Sequence, residues 1–242
     1  MEQLDSGQIH LWHANLGEIT DPHLLAEHRS LLSPEELAKQ TRFRFEKDRC
    51  RYLVTRAMVR TVLSRYAEVD PKEWRFAINA YGKPSIASEL AGARGVEFNV
   101  SHTDGLVVLG VTRERAIGVD VENVRSRNAS IEIADRYFAH AEVEALRALP
   151  RKLQQQRFFA YWTLKESYIK ARGIGLSIPL DRFAFDLDDA AGIRMTIDPR
   201  LQDEPEHWAF WQLQLDLDNL TAICASQSED KKLHVPALRA WR

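Results

Sequence analysis

Ile117-Gly118-Val119-Asp120-Val121-Glu122 is the stretch that decides the fold. On a β-strand successive side chains point to opposite faces. Ile117, Val119 and Val121 therefore share an apolar face, and Asp120 and Glu122 share the other. The bland account is two solvated acids on an exposed strand face. The alternative follows from electrostatics: neighbouring carboxylates raise each other's cost of ionising, and a divalent cation removes that cost. Mg²⁺ is commonly held by one or two carboxylates together with phosphate oxygens. Gly118 adds a position at which a ligand can approach the backbone.

Working outward, Phe98-Asn99-Val100-Ser101-His102 reads as a strand, Thr103-Asp104-Gly105 as hairpin-turn chemistry, and Leu106 to Val111 as the returning strand. Ile9 to Trp12 reads as a first strand. Asp21-Pro22 and Ser33-Pro34-Glu35-Glu36 each open a helix, the second with a capping-box glutamate. Arg51 to Tyr66 has helical apolar spacing, and Tyr81-Gly82-Lys83-Pro84 is a turn. After the central strand the order recurs: a helix from Phe158 to Ala171, a turn at Gly173 and Gly175, and paired strands from His207 to Leu217 and Leu220 to Ala225. The reading is an α+β fold of two similar halves, residues 1–115 and 116–242, with the ligand site in the cleft between them. Chance α+β packing is the competing explanation of the repeat. The polar tail from Ser228 is expected to pack loosely.

Composition narrows the function. The 242 residues carry a formal net charge of −2, so the whole molecule is no electrostatic magnet for nucleic acid, and any grip on phosphate is local. Cys50 and Cys224 are too few for a disulfide framework, which favours a reducing, cytoplasmic setting. There is no signal-peptide pattern and no run of about 18 apolar residues to span a membrane.

Trp162, Glu166 and Lys170 share one helix face. A Glu–Lys pair at this spacing is usually a surface ion pair, but the tryptophan argues for a partly covered face. Glu166 is then a candidate third metal ligand or general base, and Lys165 and Lys170 are candidate phosphate holders. Ser101-His102 is not a nucleophilic dyad, because adjacent strand residues diverge and no Gly-x-Ser-x-Gly elbow is present. Lys39, Arg42, Arg44, Lys47, Arg49 and Arg51 interleave with Phe43 and Phe45. That segment reads as an ordinary helix surface and loop, as a nucleic-acid contact, or as a clamp on a terminal phosphate. A dinucleotide fingerprint, a Walker A loop and a zinc-type histidine cluster are all absent.

Together these segments resemble the surfactin-synthetase-type 4′-phosphopantetheinyl transferases. The resemblance is carried by Ser33-Pro34-Glu35, Tyr81-Gly82-Lys83-Pro84, Phe98-Asn99-Val100-Ser101-His102-Thr103, Ile117 to Glu122 and Trp162-Thr163-Leu164-Lys165-Glu166-Ser167-Tyr168-Ile169-Lys170. It runs from residue 33 to 185. It implies transfer of the phosphopantetheine arm of coenzyme A to a serine of an apo acyl or peptidyl carrier protein, with Mg²⁺ and coenzyme A between two pseudo-symmetric halves of a monomer. It implies Asp120, Glu122 and Glu166 as metal ligands, and Glu166, Lys170 and His102 as catalytic residues. Lys39, Arg51, the turn Tyr81, Gly82, Lys83, Pro84, Ser85 and Ile86, then Ser101, His102, Thr103, Lys165 and Lys170 would bind coenzyme A. Glu36 departs from the pattern, since family members often carry lysine there, and this weakens the expected hold on the 3′-phosphate. Carrier docking is expected between Val124 and Leu149. A non-enzymatic coenzyme A-binding module and a metal-dependent phosphodiesterase are the alternative functions.

Overall fold

The computed structural model describes residues 1–87, 90–125, 131–188, 192–227 and 233–241. The chain runs through β1 (His10–Asn15), α1 (Pro22–Ser30), α2 (Pro34–Thr41), α3 (Glu46–Leu63), the short hairpin β2 (Phe76–Ile78) and β3 (Pro84–Ile86), and the long hairpin β4 (Val96–Thr103) and β5 (Leu106–Arg113). It then repeats that order. β6 (Ile117–Asn123) is followed by α4 (Ile131–Tyr137), α5 (His140–Ala148), α6 (Arg151–Arg172), the short hairpin β7 (Phe183–Asp186) and β8 (Arg194–Ile197), and the long hairpin β9 (Trp208–Gln214) and β10 (Asn219–Ser226). One further strand, β11 (Ala237–Ala240), closes the described chain.

The pairing repeats as well. In the first half β5 lies between β1 and β4, antiparallel to both; in the second, β10 lies between β6 and β9, antiparallel to both. The fold is α+β with two pseudo-symmetric halves, as the segment order implied. Local chemistry accounts for the element ends. The Asp21 side chain accepts from His23 N–H at the start of α1. Ser33 and Glu36 form a reciprocal capping box on α2, satisfying two of the N–H groups a helix start leaves open. Gly105 takes φ +81° in the two-residue β4–β5 turn, and Gly173 caps α6 at φ +69°; both lie in the region that favours glycine.

Each long helix covers its own core. Val54, Met58, Val62 and Leu63 of α3 pack with Trp12, Phe98 and Leu109; Phe159, Leu164 and Tyr168 of α6 pack with Phe183, Phe185 and Ala222. A third cluster joins the halves, and here Ile117, Val119 and Val121 meet Ile9, Leu11, Leu106, Val108 and Ile223. Between β4 and β6, side chains supply bonds across the junction. Asn99 Oδ1 accepts from Val119 N–H (2.9 Å) and Thr103 Oγ1 from Asn123 N–H (3.3 Å). The partner numbers rise together, so β4 and β6 run parallel.

Two boundaries differ from the sequence reading. α3 and α6 begin earlier, at Glu46 and Arg151, because their polar first turns are helix-compatible yet carry no apolar period. The C-terminal tail was expected to pack loosely; residues 228–232 and 242 lie outside the described residues, but within 233–241 the chain is held by a strand and a buried tryptophan. β11 pairs in parallel with β1, and Trp241 is buried in the core of the first half. Among the described residues no helix is long and apolar enough to cross a membrane.

Candidate active site

β6 is covered by α6, and the contact is unusually close. A Cβ on Gly118 would lie 2.0 Å from the Ser167 carbonyl oxygen and 2.4 Å from Ala171 N. Only glycine lets the helix backbone settle there. This approach brings Glu166 and Lys170 of α6 to the acidic face of β6.

Asp120 is buried at the centre of the site. Its Oδ1 accepts from Lys170 Nζ (2.7 Å) and Ser101 Oγ (3.1 Å), and Lys170 Nζ also donates to Ser101 Oγ (2.9 Å). Its Oδ2 is buried with no hydrogen-bond partner. A buried charged oxygen left unpaired is costly, so this atom marks where a cationic ligand would be accommodated. Glu122, two residues on, is buried on the same strand face. Burial, followed by the charge of Asp120, pushes the Glu166 carboxyl up to about 6; Lys170 draws it down and Glu122 adds to the rise. The three carboxylates thus feel one another. Among the described residues, however, no group of three or more His, Cys, Asp or Glu side chains is gathered into a metal-holding cluster, so the expected three-acid cage is not displayed as such.

A cleft of about 580 Å³ opens in front of Asp120, Glu122, Ser101 and Lys170, with Glu166 outside its lining residues. Its first wall is α2 and α3, presenting Lys39, Asp48, Arg51, Tyr52, Thr55 and Arg56. Its floor is Val100, Ser101 and His102 of β4 with Asp120, Val121 and Glu122 of β6, and Gly82 and Lys170 close the remaining sides. Arg51 is held by Asp48 (2.8 Å), and the Lys39 ammonium lies 5.7 Å from the Tyr52 ring centroid. Desolvation by the cleft walls and then the Arg51 cation hold the His102 imidazole below its usual pKa. The arrangement suits a polyanion at the basic end and a proton acceptor at the α6 end.

Of the expected site residues, the cleft brings together Lys39, Arg51, Gly82, Ser101, His102, Asp120, Glu122 and Lys170. Others stand elsewhere. Lys165 is a correction: it is fully buried on the far side of α6, paired with Glu142 (2.7 Å) and donating to the carbonyls of Leu180 and Phe183. Adjacent helix residues diverge by about 100°, so Lys165 cannot share the face of Glu166. Lys83 is another, because its ammonium donates to the carbonyls of Ile117 and Ala171. Thr103 spends its hydroxyl on the β4–β6 junction. Tyr81 is exposed and lies beside Gly175, while Pro84, Ser85 and Ile86 form β3, paired to β2.

Glu36 also finds its explanation. Its carboxylate meets Arg56 and Arg60 of α3 while closing the α2 capping box; it is a half-buried partner of two arginines, one of which, Arg56, lines the cleft. The sequence reading missed Asp48, Tyr52, Thr55 and Arg56. The signal was present: with Arg51 they recur at helical spacing, and they form the polar stripe of a helix read only for its apolar one.

Comparison with known proteins follows the same division. A family model described as the 4′-phosphopantetheinyl transferase superfamily matches residues 116–226, and one described as 4′-phosphopantetheinyl transferase, N-terminal, matches residues 20–114. The chain is 36% identical over 172 residues to the 4′-phosphopantetheinyl transferase HetI of Nostoc, covering 71% of each. It is 34% identical over 200 residues to the 4′-phosphopantetheinyl transferase Sfp of Bacillus subtilis, covering 83% of this chain and 84% of that one. It is 26% identical over 216 residues to the L-aminoadipate-semialdehyde dehydrogenase-phosphopantetheinyl transferase of Rattus norvegicus, covering 83% and 69%.

Proposed function

The chain belongs to the 4′-phosphopantetheinyl transferase superfamily, and we propose that it transfers the phosphopantetheine arm of coenzyme A to a serine hydroxyl of an apo carrier protein. The observation that carries the reading is the Asp120–Lys170–Ser101 cluster, with its unpaired Asp120 Oδ2, at one end of a cleft whose other end is basic. Lys39, Arg51 and His102 would hold the nucleotide phosphates, and Lys170 would face the diphosphate.

The carrier serine oxygen attacks the phosphorus nearer the pantetheine arm; a new P–O bond forms, the bond to the other phosphate breaks, and 3′,5′-ADP leaves. Glu166 takes the serine proton, directly or through water. In the metal-free protein burial and then the Asp120 charge lift this carboxyl to about 6, so it is mostly ionised at neutral pH and free to accept a proton or a cation. Lys170 offsets the charge that develops on the leaving diphosphate. The donor chemistry of Asp120, Glu122 and Glu166 suits Mg²⁺, since all are oxygen donors and Asp120 carries an unpaired buried atom, though the three are not gathered into one cluster among the described residues; burial and then the Asp120 charge lift Glu166. When bound, the ion would supply charge neutralisation for the diphosphate.

The test is the mass of the carrier. Mixed with coenzyme A, Mg²⁺ and an apo carrier protein, the enzyme should add one phosphopantetheine per carrier serine, and Asp120→Ala should abolish the gain while its circular dichroism stays native. Hydrolysis of coenzyme A with no carrier modified, across acyl and peptidyl carriers, would replace the transferase reading with a phosphodiesterase.

A further inference from the structure

We propose that Lys83 and Asn79 are positioning residues, which fasten the Asn79–Lys83 turn of the first half to the end of α6 and the start of β6 and so set the width of the cleft. The turn is itself rigid. Asn79 Oδ1 accepts from the N–H groups of Tyr81 and Lys83 (2.9 Å each), Asn79 N–H donates to the Lys83 carbonyl (3.1 Å), and Gly82 N–H to the Asn79 carbonyl (3.0 Å). From this closed loop two side-chain groups reach into the other half. Asn79 Nδ2 donates to the Gly173 carbonyl (2.6 Å). Lys83 Nζ donates to Ala171 O (3.1 Å) and Ile117 O (3.2 Å).

Those acceptors are not arbitrary. A helix leaves its last carbonyls unsatisfied, and a cation is favoured at its C-terminus. Here both requirements at the end of α6 are met from the opposite half. Ala171 follows Lys170, and Ile117 precedes Asp120 by three residues on β6. One ammonium therefore ties together the two elements whose side chains form the Lys170–Asp120 pair, and ties both to Gly82, which forms another side of the same cleft. The fit is close on the helix side: a Cβ on Gly173 would come within 3.0 Å of Lys83 Cδ. Lys83 thus acts on the ligand through α6 and β6, with its charge already committed to two carbonyls.

The experiment uses Lys83→Met, which keeps the chain length but lacks the donors, and Asn79→Ala, which carries no charge change. Hydrogen exchange on the ligand-free protein should quicken at the amides of the last turn of α6 in both variants and stay unchanged in α3. In the transfer assay, which rests on the function proposed above, kcat/KM should fall about ten- to a hundred-fold in each, the scale of a small misplacement of reacting groups. The double variant should lose little more than the worse single one, because the two bonds hold one joint. The preference for coenzyme A over 3′-dephospho-coenzyme A should remain that of the parent in both. Loss of that preference in Lys83→Met alone would make Lys83 a phosphate contact and overturn the proposal, as would unaltered exchange in both variants. Should the parent protein transfer nothing, the function falls, and the exchange measurement still decides the joint. Should one variant fail to fold, the other carries both measurements.

Discussion

Glu166 is a residue whose placement suits chemistry at a cost to the ligand-free fold. Its carboxyl ionises at about 6 against a usual 4.5, from burial and from the charges of Asp120 and Glu122. Since the folded carboxyl binds its proton more tightly than the unfolded one, stability falls as pH rises from about 4.5 through 6, and the full cost, about 2 kcal/mol, is present above that window. Glu166→Gln mimics the protonated form at every pH. In metal-free buffer it should therefore stabilise the protein by about 1–2 kcal/mol at pH 7.5 and by nothing resolvable at pH 4. Transfer should drop about 10²- to 10⁴-fold, the usual worth of a general base. Urea unfolding at the two pH values checks the first part; an equal gain at both would show that the glutamate is not strained by its charge. Lys165, its neighbour in sequence, has the opposite fate. Its ammonium and the Glu142 carboxylate, both fully buried, satisfy each other, and the ammonium also meets the carbonyls of Leu180 and Phe183.

At the scale of elements, the joint between β6 and α6 governs the site, and Gly118 governs the joint. An added Cβ there meets backbone, the Ser167 carbonyl and Ala171 N, and backbone in a helix cannot step aside alone. At Gly110 of β5 an added Cβ meets only the side-chain ends of Ile117 and Val119, at 2.7 Å. Gly118→Ala should cost about 3 kcal/mol or more and depress transfer by displacing Glu166 and Lys170, whereas Gly110→Ala should cost about 1–2 kcal/mol. Denaturant midpoints of the two variants give the comparison, and equal losses would mean that α6 is not held by this contact. The same elements explain what the sequence disclosed. β6 was legible because a period of two assigns each side chain to a face without further information. The hairpins were legible through Asp104-Gly105 and Asp218-Asn219. α6 was legible as a helix but not in its facing, since it buries residues around most of its circumference, and no stripe then tells Lys165 from Lys170. The basic segment was ambiguous for a related reason. Arg49 turns inward to the carbonyls of Phe43 and Arg44 and to Glu46, closing the corner between α2 and α3, and of the basic residues between 39 and 51 only Lys39 and Arg51 line the cleft. Pairings such as Glu142 with Lys165, or Lys83 with Ala171, join distant parts of the chain and leave no local trace.

The whole molecule shows why a repeat of two halves needs a final strand. In the second half the outer side of β6 is covered by β4, which runs parallel to it. The equivalent strand of the first half, β1, is covered by β11 in the same parallel sense. An uncovered β1 would present a row of unpaired backbone groups, a template for association. β11 is seated by backbone bonds from Ala237 to Ile9 and from Trp241 to His13 (2.8 Å each), by Trp241 Nε1 on Thr61 Oγ1 (2.9 Å), and by stacking of that indole on His28 at 4.9 Å between centroids. The strap therefore links the second half back to the core under α3. Trp241→Ala should cost about 3–5 kcal/mol, the usual price of emptying a buried tryptophan site, while leaving the protein in its parent association state because β11 still pairs. Truncation after Gln227 removes strand and tryptophan together. It should destabilise further and add concentration-dependent association through the opened β1 edge, read by light scattering on freshly eluted protein. A truncated chain that stays at the parent's mass at every concentration would show that β11 serves packing alone and that the β1 edge is harmless without it.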